Sequence, residues 1–147
     1  MDGEQTWNRL DLAQEQLELA VTLFLERRSH AAVITLAGAA ERVFGDALAG
    51  GKQPRNLDWQ WDQWAPLAHW LAPYAPQTKH ALTAEQNAVF DALRHWDRAP
   101  TIELVADLEV AACWMLVRAF DNAQRLGRTV AGYDAFNDWF VEHVVGL

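Results

Sequence analysis

Apolar residues in this sequence recur at steps of three and four, and nowhere does an alternating run stand between hairpin turns. That spacing is the period of one helix face, so the chain is constrained to bury helices against helices. A first helix is expected from about Thr6 to Arg28, on Leu10, Ala13, Leu17, Ala20 or Val21, and Phe24, with Leu12, Leu19 and Leu23 widening the face. Arg27 and Arg28 would fall in its last turn, where positive charge complements exposed carbonyls. Ser29 then offers a hydroxyl to cap a second helix, from about His30 to Ala49, that stops at Gly50-Gly51. Its face is Val33, Ala37, Ala40, Phe44 and Ala47. The centre, Ala37-Gly38-Ala39-Ala40, is small. Because an interior glycine costs ~1 kcal/mol relative to alanine, it predicts one close helix crossing.

Residues 50–82 break the period. Pro54, Pro66, Pro73 and Pro76 punctuate them, and four of the eight tryptophans (Trp59, Trp61, Trp64, Trp70) crowd in. A short helix is expected from about Asp58 to before Pro66, the whole stretch forming a lid or cap on the helices. The tryptophans could stack bases or sugars, but Asp58 and Asp62 beside them repel a phosphate backbone, which favours the cap. Order resumes at Thr83, whose spacing to Gln86 is a capping box. That third long helix, striped by Val89, Leu93 and Trp96, is expected to end near Asp97 or Arg98, before Pro100. After the Ala99-Pro100-Thr101 turn, a fourth runs from about Ile102 to Leu126 on Val105, Leu108, Ala112, Met115, Ala119 and Ala123, with Gly127 as its stop. A last helix, about Asp134 to Val145, presents Phe136, Trp139, Phe140 and Val144. The expected fold is therefore all-α: an antiparallel four-helix bundle with an irregular tryptophan-rich insertion and a short C-terminal helix, one domain over residues 1–147.

Composition narrows the function classes. At 51% hydrophobic and 22% charged, the chain is globular rather than disordered. A formal net charge of −8, from 20 acidic and 12 basic residues, works against global attraction to a nucleic-acid backbone. No apolar run reaches the ~18 residues of a membrane span. The opening Met-Asp-Gly-Glu-Gln has neither a basic nor an apolar signal region. Cys113, the single cysteine, stands in an apolar helical pattern, so an intrachain disulfide is excluded and a cytoplasmic home is expected. It reads as a small core residue rather than a nucleophile. The five histidines never join a Glu-x-x-His pair, and Gly50-Gly51-Lys52 lacks the spacing of a phosphate loop, so neither a metal nor another cofactor is expected.

One constellation offers chemistry. Asn87, Asp91, His95 and Arg98 follow at four, four and three residues, which places them on one helix face beside the apolar stripe. Asp91 could fix the tautomer of His95, and Arg98 could hold an anion such as a phosphate against it. The plain alternative is a solvated face whose charge pairs contribute ~0.3–0.5 kcal/mol each.

The segment Arg94-His95-x-Asp97-Arg98-x-Pro100 resembles a Lys-His-x-Asp-Arg-x-Pro motif of an uncharacterised group of bacterial helical proteins. The opening helix pair, with its Leu-Ala-Gly-Ala-Ala centre, resembles theirs; the likeness covers residues 8–49 and 83–126. That group is similar to HEPN (higher eukaryotes and prokaryotes nucleotide-binding) domains, helical bundles that often dimerise. Catalytic members are metal-independent ribonucleases in which an Arg, a polar residue and a His from two protomers meet in a cleft. The resemblance puts His95 in the His position and Asp91 in the polar one, but Phe90 stands where the Arg should be. A phenyl ring cannot neutralise a phosphate. Arg94 adjoins His95 but points away, and Arg98 lies on the wrong side of the motif.

The resemblance thus implies a homodimeric, non-catalytic module that binds RNA, a nucleotide or a toxin–antitoxin-type partner through Asn87, Asp91, Arg94, His95 and Arg98. The alternative is a helical interaction or structural domain without ligand chemistry.

Overall fold

A computed structural model of the chain describes residues 3–98 and 101–146, with the side chain of Arg98 outside the description. Those residues form six helices and no strand: α1 (Arg9–Leu25), α2 (His30–Gly50), α3 (Asn56–Trp64), α4 (Lys79–Arg94), α5 (Leu108–Arg125) and α6 (Tyr133–Phe140). A 3₁₀ turn over Ala65–Leu71 follows α3, and a five-residue π turn, Val141–Val145, continues α6. The all-helical expectation holds. No helix among the described residues is long and apolar enough to cross a membrane.

The centre of the molecule is built by α1, α2 and α5. Leu17, Val21 and Phe24 from α1, Ile34, Ala37 and Phe44 from α2, and Leu116, Ala119 and Phe120 from α5 are all buried in one cluster. Leu17, Val21, Phe24, Ala37, Phe44 and Ala119 lie on the faces the three- and four-residue spacing marks, whereas Ile34, Leu116 and Phe120 widen them, and this burial drives the helices together. Across one end lies α6, held by aromatic edges. Phe136 meets Phe24 at 5.7 Å and Phe120 at 5.4 Å between ring centres, and Trp139 meets Phe24 at 4.7 Å.

Helix ends differ from expectation where side chains compete for backbone groups. Arg27 and Arg28 lie past the end of α1 rather than in its last turn. Arg28 N donates to Leu23 O at 2.8 Å, and Arg27 takes the left-handed conformation (φ 58°) that closes such an end. At the end of α2 the left-handed residue is Lys52, beyond both glycines. Gly127 (φ 76°) ends α5 as expected, with Arg128 N bonded to Ala123 O. The third long helix starts earlier than Thr83, because the Thr78 hydroxyl accepts from Ala81 N at 3.1 Å and caps it there. The fourth starts later than Ile102: Asp107 accepts from Val110 N at 3.0 Å and sets the first turn at Leu108. Residues 101–107 are exposed and irregular in consequence, and Val105, expected in the stripe, is 97% exposed. The expected Ala99-Pro100 turn lies outside the described residues.

The small centre of α2 has a different use from the one expected. The atoms nearest to Gly38 belong to a side chain. The ring of Phe90, from α4, lies against it so closely that an added Cβ would fall well inside van der Waals contact with three ring carbons. Phe90 is only 3% exposed and belongs to the core. The phase of α4 follows from this. Leu82 and Phe90 face inward, while Leu93 is 37% and Trp96 79% exposed, so the expected Val89–Leu93–Trp96 stripe is turned partly outward.

This contact predicts a coupled pair of mutations. Gly38→Ala should destabilise the protein by about 1–2 kcal/mol in urea unfolding, because displacing the Phe90 ring outweighs the ~1 kcal/mol gain in helix propensity. In a Phe90→Leu background the same change should be neutral or stabilising. Equal effects in both backgrounds would mean that the ring does not set the glycine.

Candidate functional site

The polar groups that the fold gathers most tightly are those beneath α3 and α4. Arg118 occupies a buried phase of α5, one turn from Met115 and Asn122, and is 2% exposed. Its Nη2 stands 3.1 Å from Oε1 of Glu41 on α2, itself 7% exposed, and its Nη1 donates to the backbone oxygen of Gln86 on α4 at 3.1 Å. Asn122, fully buried one turn further on, donates from Nδ2 to the Glu41 carbonyl at 3.2 Å and to its Oε1 at 3.4 Å. Its Oδ1 accepts from Asn56 N at 2.7 Å. Asn56 is the first residue of α3, so Asn122 supplies from another helix an acceptor for an otherwise orphan N–H. The junction ties α2, α3, α4 and α5 at one point.

Around it runs a second shell of charge. Asn56 Nδ2 donates to Asp121 at 3.1 Å, and Arg125 donates to the same carboxylate at 2.7 Å. Asp58 accepts from Arg55 N at 2.9 Å and from both Nε and Nη2 of its guanidinium at 3.0 Å, and it pairs with Lys79 at the start of α4. The Arg55 hydrogen bonds, aided by Lys79, hold the Asp58 carboxyl well below the usual carboxylate range, against an opposing push from burial.

Above Arg118 opens a cleft of about 630 Å³ between α3, α4 and α5, lined by Trp59, Gln60, Gln86, Phe90, Trp114 and Arg118 among others. A second hollow of about 460 Å³ continues it between Trp59, Trp64, Leu67 and Leu82. Two N–H-bearing atoms of Arg118, Nε and Nη2, have no hydrogen-bond partner; Nη2 is near Glu41 in distance but not aligned with it. Buried guanidinium groups are normally saturated, so this leaves donor capacity at the floor of the cleft.

The expected site residues lie elsewhere. Asn87 and Asp91 are half-buried on α4, one turn apart. His95 is past the helix, which ends at Arg94: it takes an extended conformation (φ −130°, ψ 115°), and its backbone N, not its ring, reaches Asp91, at the carbonyl oxygen 2.9 Å away. Among the described residues, no hydrogen bond or ion pair engages the side chains of Asn87, Asp91 or His95. The Arg94 guanidinium sits over the Phe90 ring, 4.6 Å from its centre. Arg98 ends the 3₁₀ turn Trp96–Arg98, and its side chain lies outside the described residues, as does Pro100. The structure therefore leaves Asn87 and Asp91 one turn apart on α4 without a bond between their side chains, and makes His95 the cap at which that helix ends.

The tryptophan-rich stretch caps the helices with other residues. Leu57 and Ala68 are buried in it, whereas Trp59 is 49% and Trp70 76% exposed. Trp64 is fixed by donating from Nε1 to Pro76 O at 2.9 Å. Among the described residues no three His, Cys, Asp or Glu side chains gather to hold a metal ion. Burial, reinforced by the charge of Glu109, pushes the Cys113 thiol up to about 11, so at neutral pH it stays protonated and a poor nucleophile.

The sequence reasoning missed Glu41, Arg118, Asn122 and Asn56. One signal was present: Arg118 and Asn122 share the helical phase of Met115 and Ala119, so two polar residues interrupt an apolar face. Compared with protein-family models, with curated proteins and with solved structures, the chain finds no match.

Two outcomes follow from the geometry. Glu41→Ala should leave Arg118 buried without a counter-charge and lower stability by about 3–5 kcal/mol, while the double change Glu41→Ala/Arg118→Met should recover much of that loss. Additive losses in thermal or urea unfolding would mean the two charges are not coupled. Asp58, with its pKa depressed on folding, contributes stability that is fully present above the unfolded value near ~4 and is lost as pH falls below it. Asp58→Asn should therefore destabilise at pH 7, with the gap to the parent narrowing below about pH 4. A gap constant down to pH 2.5 would contradict the assignment.

Proposed function

We propose that this chain is a non-catalytic, HEPN-like helical module that pairs with a second copy of itself through the strip that contains His95. The observation that carries this reading is the exposure of large apolar side chains along one run of chain. Leu93, Trp96, Ile102, Leu104 and Val105 follow one another there, with Trp96 at 79%, Ile102 at 81% and Val105 at 97% exposed. Apolar surface concentrated in this way marks an interaction site rather than an ordinary solvated face.

Charge supports a second copy as the occupant. The strip begins with Arg94 and His95 and ends with Glu103, Asp107 and Glu109, all three of the latter exposed. A two-fold axis near its middle sets the basic end of one copy against the acidic end of the other, which is how an isologous interface becomes self-complementary. The same acidic end, with the net charge of −8, works against RNA on this surface. The resemblance to HEPN domains favours a dimer, and the four-helix arrangement of that family belongs to the same proposal. Phe90 favours a module without nuclease activity: it stands where the resemblance expects an arginine, and its ring is buried against Gly38. A reducing cytoplasm, where the lone Cys113 stays a thiol, completes the picture.

Sedimentation velocity at protein concentrations up to about 100 µM tests the pairing, a range in which a micromolar interface is populated. The parent should run as a dimer, and Trp96→Asp and Val105→Asp should each yield monomers with unchanged thermal midpoints. A parent that stays monomeric throughout, or a dimer that survives both changes, overturns the proposal. Incubation with RNA without metal should give no more cleavage than the His95→Ala variant does.

A further inference from the structure

The cleft between α3, α4 and α5 is separate from the His95 strip and carries its own chemistry. Its volume, about 630 Å³, is that of a small-molecule site. Its walls are apolar and aromatic, from Trp59, Val89, Phe90 and Trp114, with polar groups from Gln60 and Gln86. Trp59 is 49% and Trp114 47% exposed, so each ring keeps open surface that its own chain does not cover. At the floor stands Arg118, 2% exposed, with Nε unpartnered and Nη2 held 3.1 Å from Glu41. Leaving a buried donor unmade is costly in a folded protein. An acceptor that enters the cleft removes that cost.

We propose that this cleft binds a small, flat, uncharged apolar molecule that carries a carbonyl or equivalent acceptor, its body between the two tryptophan-bearing walls and its oxygen on Arg118. The ligand is uncharged because the guanidinium already has its counter-ion. Glu41 Oε1 lies 3.1 Å from Nη2, and Glu85 stands exposed among the lining residues. A carboxylate or phosphate on Arg118 would add a second negative charge next to Glu41, with little solvent to screen it. An uncharged oxygen takes the idle Nε–H without that repulsion.

Fluorescence titration with Nile red, an uncharged planar dye with a carbonyl, tests the site directly. The parent protein should bind one dye per chain, saturably, with a blue-shifted emission excited by energy transfer from tryptophan. Trp59→Ala and Trp114→Ala should each weaken binding by about tenfold or more while circular dichroism stays that of the parent. Arg118→Lys should weaken it too; because that change touches the core, the tryptophan variants carry the test if it fails to fold. Trp96→Asp, on the other surface, should leave the affinity unchanged. Dye uptake that never saturates, an affinity indifferent to both Trp59→Ala and Trp114→Ala, or loss of binding in Trp96→Asp overturns the proposal. Equal affinity of the cleft for the anionic dye 8-anilinonaphthalene-1-sulfonate overturns the claim that the ligand is uncharged.

Discussion

The buried contact between Glu41 and Arg118 governs how the outer helices are placed. The three central helices, α1, α2 and α5, have apolar faces sufficient to hold one another, whereas α3 buries only Asn56 and Leu57, and α4 only Leu82 and Phe90. Such helices cannot be positioned by apolar burial alone. They are located by directional bonds to one polar junction: Arg118 to the Gln86 carbonyl of α4, and Asn122 to the first N–H of α3. A buried ion pair contributes little net stability against an apolar substitute, but breaking one side of it is costly. The junction therefore acts as a specification of geometry, and losing either charge should loosen more than the pair itself.

Two further consequences come from the same point. The Gln86 carbonyl fixes α4 at one place along its length and Phe90 fixes it one turn later, its ring seated on Gly38. Both anchors line the cleft that opens between α3, α4 and α5. The depression of Asp58 by Arg55 and Lys79 adds a charged clasp between the starts of α3 and α4.

The candidate residues named from sequence show where periodicity misleads. Asn87, Asp91, His95 and Arg98 share a face only if the helix continues through His95. The helix ends at Arg94, and the extended conformation of His95 takes the turn that follows, Trp96–Arg98, off the helical path. The signal for this, a proline at position 100, was present, but steric exclusion by proline fixes only the residue before it, not a boundary six residues upstream. Trp96 and Val105 were assigned to buried stripes on the same assumption of unbroken helix, and both are exposed. By contrast, Phe90 could be seen from sequence only as a missing arginine; that it fills the hole left by Gly38 depends on two helices far apart in the chain.

What the sequence determined by itself was set by one helix face or a single turn: the all-helical class, most of the buried faces of α1 and α2 and part of that of α5, the stop at Gly127, and the docking of Phe136 and Trp139. These follow from a 3.6-residue period, from burial of apolar surface and from glycine's freedom at positive φ, all of which act over a few residues. Tertiary structure alone decided the pairing of Glu41 with Arg118, the capping of α3 by Asn122, and the seating of Phe90 on Gly38. Each joins residues at least 52 positions apart, as with Gly38 and Phe90, and up to 81 apart, as with Glu41 and Asn122. No periodic pattern along the chain encodes which polar residue on one helix will face which on another. That is settled only when the faces have packed and an unpaired buried charge has become too costly to leave alone.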